Sequence, residues 1–493
     1  MPAHSTPKLR LLPRPDDGGV RLVAPAGSAP AAGTDRPIAP FFVGDWLAIL
    51  VGAFRLGDIG VVAGTGFAVF WLPGGAAAPP PIYQWQVLAG CLLAANCFHF
   101  ARLYTVGSLR RPLRHLAAVA ANWAGVVLAI AAAGFFTGTA DAAFRDRIVL
   151  WALSALAGLV GARLVYWTWL ARWSRDSKLV ANVAIVGSQA AAARLARHIA
   201  SSSEGEARIV GAFHTSASAQ ASPAEDDVRA LIRLARRTRV DEVVVSIHCA
   251  GDMGDAFAAL ADLPVDVKVC LEFGDGTAIE PREIPTLLLC RRPLAGWRIV
   301  VKRAMDIALS AVLLVFFMPL MLGIAGLIKL DSRGPVIFRQ RRFGFNRQPI
   351  TVYKFRTMYC GSSDDAAVAQ ARPRDPRVTR LGRFLRRSSL DELPQLLNVL
   401  RGDMSLVGPR PHATAHDEKY APLIDGYLAR HRVQPGITGW AQVKGFRGET
   451  DTLEKMIQRV EHDLFYIEHW SPLFDLRILA LTLRYGFYHR NAY

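Results

Sequence analysis

The chain has 493 residues, 52% of them hydrophobic and 20% charged, a balance too apolar for an ordinary soluble enzyme and one that predicts membrane segments. Its formal charge of +17 points to nucleic acid, anionic lipid or phosphorylated substrates as partners. No helix-turn-helix, zinc-finger or RNA-reader pattern is present, which sets nucleic acid aside, and the six cysteines form no C-x-x-C pair or zinc spacing, so they read as reduced, mostly buried thiols.

Residues 1–40 are rich in Pro, Ala and Gly with scattered Arg and carry no apolar run of the signal-peptide type; they read as a disordered cytoplasmic arm that is not processed. Region 41–175 then holds four apolar stretches, Leu56–Leu72 (with a start as early as Phe41 open), Ile82–Phe100, Leu116–Phe136 and Ile148–Leu170, each about long enough to cross a bilayer core. Arg36 and Arg55 precede the first, and the next loop, LPGGAAAPPPIY, has no charge. Arg102, Arg110, Arg111 and Arg114 follow the second; Asp141 and Asp146 balance Arg145 and Arg147 after the third; Arg172, Arg175 and Lys178 follow the fourth. The positive-inside rule then puts both ends of the bundle in the cytoplasm. The competing reading is a soluble all-α domain with buried helices.

From about 176 to 298 the pattern turns to alternating strands and helices: LVANVAIVG, RIVGAFH and VDEVVVSIH as strands, SQAAAARLARHIA as a helix. A Rossmann-like α/β module is predicted. Of the three glycines of G-x-G-x-x-G only Gly187 is present, with Gln189 and Ala192 in the other places, so the close backbone approach to a pyrophosphate is lost. The module therefore reads as structural or oligomerising rather than dinucleotide-binding, and His248 as a strand-end histidine.

Residues 299–334 contain the run Ala304–Ile328, in which Asp306 is the only charge. Lys302 and Arg303 precede it, and Lys329, Arg333, Arg339, Arg341 and Arg342 follow, so both ends are asked to stay inside. Pro319, in the middle, removes a helix hydrogen bond. The expectation is a re-entrant helix-break-helix hairpin in one leaflet, with Asp306 paired to Lys302 one turn away near the headgroups.

The remainder, 335–493, is basic and dense in residues suited to phosphate. FRQRRFGFNRQPITVYKFRTM interleaves arginines with aromatics, and Arg377, Arg380, Arg383, Arg386 and Arg387 follow at nearly helical intervals. In SSLDELPQLLNVLRGDMSLVGPRPH, Ser389 to Glu392 fits an S-x-x-E capping box, with Leu393, Leu396, Leu397 and Leu400 on one helical face. Pro394 conflicts with a helix starting at Ser389 and favours a start near Pro394, leaving Asp391 and Glu392 on the entering turn, and Gly402 is the stop. Arg410 sits between Pro409 and Pro411, which reduce the entropy lost in fixing a guanidinium on phosphate. Acids among so many cations suggest a phosphorylated substrate, with a divalent metal between carboxylate and phosphate.

From about Lys302 to the end, the chain resembles the bacterial sugar transferases, the monotopic phosphoglycosyl transferases. The resemblance rests on KRAMDI, GPVIFRQRRFG, YKFRTM, DPRVTRLGRFLRRSSLDELPQLLNVLRGDMSLVGPRP, QPGITGWAQV and DLFYIEHWS in that order, and the preceding helices and degenerate Rossmann-like module are similar to the long-form members. It implies a multidomain membrane protein: a four-helix transmembrane bundle, a Rossmann-like α/β module, a re-entrant helical hairpin and a small α/β cytoplasmic catalytic domain. It implies transfer of a hexose 1-phosphate from a UDP-sugar to undecaprenyl phosphate, with release of UMP, as the priming step of exopolysaccharide or capsule assembly at the bacterial inner (cytoplasmic) membrane. Asp391 is implied as the nucleophile that forms a phospho-aspartate and Glu392 as the Mg2+ ligand. Arg386 and Arg410 are implied to bind phosphate, with Lys354, Arg356 and Asp463 in the site and Lys302, Asp306 and Pro319 supporting it. These implications favour catalysis over capping for Asp391.

The stretch QPGITGWAQVKGFRGET is similar to glucose-type members, although Lys444 stands where they often carry Asn; galactose or N-acetylhexosamine donors are the alternatives. Expected partners are the UDP-sugar, undecaprenyl phosphate, membrane lipid and a second copy of the chain in a homo-oligomer such as a dimer. Rival classes are a nucleotide-sugar oxidoreductase or dehydratase using the Rossmann-like module, and a non-enzymatic membrane scaffold.

Overall fold

A computed structural model describes residues 43–71, 81–105, 108, 112–138, 142–175, 181–187, 192–196, 207–214, 223–247, 260–271, 286–360, 375–446 and 452–486. The expected N-terminal arm, Gln189, His248 and Cys249 lie outside them. By internal packing the chain divides into two compact units, residues 46–179 and the remainder.

The first unit is helical: α1 (Val43–Trp71), α2 (Pro81–Phe100), α3 (Pro112–Phe136) and α4 (Ala142–Arg175). Val62, Phe98, Val119, Trp123, Trp151 and Leu159 fill its interior, whereas Trp85, Leu92, Leu128 and Leu153 face outward. An apolar exterior around an apolar interior is what a lipid-facing bundle requires. Among the described residues, four helices are long and apolar enough to cross a membrane: those containing Ile49–Val69, Pro112–Phe136, Phe144–Trp169 and Trp297–Asp331. The second predicted span forms as α2 but is not one of these, since Gln84, Gln86, Asn96 and His99 dilute it; Asn96 turns its amide back to the Leu92 carbonyl at 2.8 Å. α1 begins at Val43, close to the earlier of the two predicted starts. Inside the bundle, Arg163 donates to both oxygens of Asp58 at 2.6 and 2.8 Å and to His115 Nε2 at 2.9 Å, so charges removed from water are paired.

The second unit opens with a five-stranded sheet: β1 (Ala181–Gly187), β2 (Ala207–His214), β3 (Glu242–Ile247), β4 (Asp266–Leu271) and β5 (Thr286–Cys290), with helix α5 (Pro223–Arg237) between β2 and β3. The order is β2-β1-β3-β4-β5, parallel up to β4 and antiparallel at β5. This is the predicted Rossmann-like pattern: Val183 and Ile185 pack on one face and Ala184 and Val186 on the other, as strands covered on both sides require. Of the five described cysteines, all free, Cys91 and Cys270 are buried and Cys360 is exposed, so the expectation of mostly buried thiols holds only in part.

Helix α6 (Trp297–Asp331) is one uninterrupted run of 35 residues with Pro319 inside it, not two arms with a break. Its buried residues lie at its two ends, Ile299, Lys302, Asp306 and Ser310 at one and Ile324 and Ile328 at the other, while Val312, Val315, Phe316 and Leu322 in between are exposed. The remaining elements are β6 (Ile337–Phe343), β7 (Pro349–Phe355), α7 (Arg380–Ser388), α8 (Gln395–Arg401), β8 (Ser405–Val407), α9 (Thr414–Tyr420), β9 (Gly436–Thr438), α10 (Trp440–Val443), α11 (Leu453–Glu468) and α12 (Pro472–Gly486). β6 and β7 form an antiparallel hairpin, and β8 and β9 a short parallel pair.

Both ends of α6 are held by this domain. Arg303 donates to the Val399 and Leu400 carbonyls at 2.5 and 2.9 Å, and Arg356 to the carbonyls of Ser332 and Arg333 at 2.7 and 2.8 Å. The predicted Lys302–Asp306 pair exists at 3.4 Å but is buried in protein rather than set among headgroups. Lys302 lies closer to Asp475, at 2.7 Å, and Asp306 accepts the Leu406 amide at 3.1 Å.

Candidate active site

The acids stand where Pro394 placed them. Residues Leu390–Glu392 form a single 3-10 turn, and α8 follows from Gln395 with Pro394 as its first flanking residue and Gly402 (φ 95°) as its stop. Ser389 is left-handed (φ 59°) and makes no capping bond with its side chain, so the capping box does not form. The buried face of α8 carries Leu396 and Val399, while Leu397, predicted on the apolar face, is exposed. Asn398 fixes the helix on β7: its Oδ1 accepts the Tyr353 amide at 3.0 Å, and its Nδ2 donates to the Thr351 carbonyl at 2.7 Å. That asparagine, within an otherwise apolar run, went unread in the sequence.

Alternation along β7 puts Ile350, Val352 and Lys354 on one face, and across the hairpin Arg342 pairs with Ile350. The face thus begins as core and ends in cations. Lys354 Nζ lies 2.9 Å from Glu392 Oε1. Arg410 grips the same carboxylate from the other side, Nη2 to Oε1 at 2.7 Å and Nη1 to Oε2 at 3.3 Å.

The bend bearing Arg410 is fixed carbonyl by carbonyl. Pro409 O accepts from the Gly436 amide at 2.9 Å, Arg410 O from Arg430 at 2.8 Å, and Pro411 O from Arg342 at 2.7 Å. The backbones of 408 and 436 approach so closely that a Cβ on Gly436 would strike the Gly408 nitrogen, and one on Gly408 would lie 2.5 Å from the Gln434 carbonyl oxygen. This contact brings the VGPRP and QPGITG segments together. Gln442, with its amide donating to Ile437 O, accepts from Arg410 Nη1 at 3.3 Å.

Asp391 and Glu392 are both buried, but only Glu392 is gripped. Among the described residues Asp391 has no side-chain hydrogen bond or ion pair. Burial, with the Glu392 charge adding to it, pushes the Asp391 carboxyl up to about 6, against the pull of Lys354, Arg386 and Arg410. Burial holds Lys354 below its usual range although Glu392 opposes this, while Glu392 raises Arg410. Burial and the neighbouring Arg410 charge bring Arg342 down to about 10. Four cations thus face two carboxylates, an arrangement suited to the oxygens of a phosphorylated substrate.

Of the predicted site residues, Asp391, Glu392, Lys354 and Arg410 converge, and Arg386, on the last turn of α7, acts on Asp391 by charge. Asp463 lies one layer behind, ion-paired at 2.7 Å with Arg430, which holds the Arg410 carbonyl. Arg356 does not reach the acids; its bonds to Ser332, Arg333 and Ile328 terminate α6. Lys302, Asp306 and Pro319 belong to α6 and its seating. Arg342 and Arg430, which hold the Pro411 and Arg410 carbonyls, carry no local signal for this position: in sequence Arg342 is one of the basic residues flanking α6.

No group of three or more His, Cys, Asp or Glu side chains that could hold a metal occurs among the described residues. Two adjacent carboxylates do fit a magnesium ion whose shell is completed by substrate phosphates and water, since Mg2+ is commonly held by one or two carboxylates. They do not fit an all-protein metal centre.

Residues 297–489 match the family described as bacterial sugar transferase, and residues 99–270 one described as CoA-binding domain. The chain is 55% identical over 214 residues to the UDP-glucose:undecaprenyl-phosphate glucose-1-phosphate transferase of Escherichia coli (strain K12), covering 43% of this chain and 46% of that protein. It is 33% identical over 443 residues to the protein of the same name from Xanthomonas campestris pv. campestris, 87% of this chain and 92% of the relative. It is 42% identical over 327 residues to the undecaprenyl-phosphate glucose phosphotransferase of Komagataeibacter xylinus, 64% and 61% respectively. The match spans about half the length of the first of these relatives and nearly all of the second.

Proposed function

Because the chain belongs to the bacterial sugar transferase family, we propose that it transfers glucose 1-phosphate from UDP-glucose to undecaprenyl phosphate and releases UMP, through a covalent phosphate on Asp391. The observation that carries this reading is the contrast between the two acids: a clamped Glu392 beside an Asp391 that has no ion pair among the described residues.

In the first displacement an Asp391 oxygen attacks the sugar-bearing phosphorus, the bond from that phosphorus to the bridging oxygen breaks, and UMP departs with the electron pair. In the second, an oxygen of undecaprenyl phosphate attacks the same phosphorus, the Asp391 oxygen leaves, and the lipid carries the sugar diphosphate. Two displacements let the water-soluble nucleotide leave before the lipid attacks. Lys354, Arg410 and Arg386 neutralise the anionic oxygens that shield phosphorus, and the fixed bend at Arg410 means little reorganisation on binding. Magnesium, held by Glu392 with Asp391 beside it, would supply further charge neutralisation.

The reading places the catalytic domain on the cytoplasmic side of the inner membrane. Basic residues flank both ends of α6, both ends are seated in this one domain, and its exposed apolar middle around Pro319 suits a segment that enters and leaves the same leaflet.

The test is to incubate membranes containing the protein with undecaprenyl phosphate, Mg2+ and UDP-glucose, UDP-galactose or a UDP-N-acetylhexosamine, scoring UMP. UDP-glucose should give the fastest release. Without lipid, UMP should rise to about one equivalent per site, and a hexose-phosphate mass increase should map to the Asp391 peptide. Absence of UMP until lipid is added would replace the covalent route with direct transfer.

A further inference from the structure

A second basic site lies away from the acids, where the α/β module meets the tip of the β6–β7 hairpin. Asn346 donates to the Ala235 carbonyl at 2.8 Å and Gln348 to the Arg236 carbonyl at 3.4 Å, so the hairpin tip closes the C-terminal end of α5. Beside this contact is a cleft lined by Arg236, Asp262, Arg347 and His431, with Ile232 and Leu263 as part of its apolar wall.

The charges of this cleft are not matched. Among the described residues neither Arg236 nor Arg347 has a carboxylate within ion-pair distance, and Asp262 has no cation within it. The two guanidiniums repel each other through space, an effect Asp262 offsets in part; Arg347 lies over the Phe343 ring, 5.1 Å from its centroid, and among the described residues its Nε is buried without a hydrogen-bond partner. Asp262 feels Arg432, Arg236 and Arg347 but touches none of them. Arginine pairs left in this state suit the bidentate acceptor geometry of a phosphate, and interfaces between domains are a common place for small-molecule clefts.

The cleft lies at the end of α5 that leads into β3 and beside the turn that leads into β4, on the side where the parallel strands begin. It is therefore separate from the crevice at the carboxyl ends of the strands, where doubly wound sheets bind ligands. Two of its walls continue to the acids. Asn346 and Arg347 are the tip of the hairpin that carries Arg342 and Lys354. His431 lies 3.4 Å from Asp417, which accepts from Tyr427 at 2.7 Å; Tyr427 lies 2.7 Å from His412, and His412 meets Arg430, the donor to the Arg410 carbonyl.

We infer that this cleft binds a phosphorylated small molecule, with the phosphate between Arg236 and Arg347 and the uncharged part against Ile232 and Leu263. Asp262, the carboxylate among the described residues that line it, opposes the ligand.

Inorganic pyrophosphate is the probe, titrated calorimetrically into the full-length protein in detergent. A saturable site is expected both in wild type and in Arg410→Ala, whose transferase site is disabled. Arg236→Gln combined with Arg347→Gln should weaken that site by about tenfold or more, the scale of one lost charge-assisted contact. Asp262→Asn should tighten it, a gain that a merely damaged fold would not give. Binding that vanishes in Arg410→Ala and ignores the arginine pair, or that Asp262→Asn leaves unchanged or weaker, overturns the assignment. UMP release by the cleft variants is read separately, so failure here leaves the transferase reading standing.

Discussion

Arg410 holds Glu392 with two guanidinium nitrogens, at 2.7 and 3.3 Å, while Asp391, the preceding residue, is buried and has no ion pair among the described residues. One carboxylate is thereby neutralised and fixed and the other left unclamped, and the proposed division of roles rests on that difference in environment.

Asp391→Asn should be inactive yet folded, and near neutral pH it should melt at or above the wild-type temperature. The folded-state carboxyl is raised to about 6, above the unfolded value near 3.9, so the folded protein holds the proton more tightly and loses stability as pH rises through that window. The advantage of Asn should therefore be largest at pH 7 and vanish near pH 4. Thermal melts at both pH values check this, and near-normal turnover by the variant would return Asp391 to a structural role.

The pH profile of UMP release should carry an acid limb where Asp391 becomes protonated: burial raises that carboxyl to about 6, magnesium at Glu392 would pull it back toward the ordinary value of about 4, and the limb should therefore move down as Mg2+ is raised. Its alkaline limb should lie below the usual lysine range, because burial depresses Lys354. Lys354→Arg should move the alkaline limb upward if it retains activity. An unchanged limb assigns it to another group.

Lys354 and Arg356 should separate cleanly. Lys354→Ala should remove most turnover, since it faces Glu392 directly. Arg356→Ala loses several charge-assisted bonds at the end of α6, a cost of about 3 kcal/mol in stability, with the folded fraction retaining its KM. A change in KM without a change in melting temperature would place Arg356 at the substrate.

Single cysteines replacing Trp297 and Asp331, in a background with the native cysteines changed to serine, should be equally protected from an impermeant thiol reagent in intact cells. Both positions flank α6, whose two ends are seated in one domain. Labelling of position 331 alone would mean a full membrane crossing.

A protein beginning at Pro293 should still release UMP in nanodiscs, because the converging residues all lie after Trp297. It should melt at a lower temperature, since Asn346 and Gln348 lose the Ala235 and Arg236 carbonyls. A folded, membrane-bound but inactive fragment would assign the N-terminal regions a part in the chemistry.

The sequence by itself determined what is local. Apolar runs long enough for a bilayer, the strand–helix alternation and the start of α8 at Pro394 follow from side-chain transfer, period and a missing N–H, all acting within a few residues. The acid pair and the rigid bend at Arg410 are legible for the same reason, and the roles proposed for them come from the resemblance and not from the local pattern. Tertiary structure decided the partners. Lys302 met Asp475, 173 residues away, as its closer partner than the neighbouring Asp306, because burial favours whichever carboxylate the fold delivers at 2.7 Å. Arg342 became a support of the bend and Arg356 the end of a helix, although both read as basic residues in similar company. Pairing of β6 with β7, and of β8 with β9, selected among these cations, and strand pairing depends on contacts too distant in sequence for any local pattern to encode.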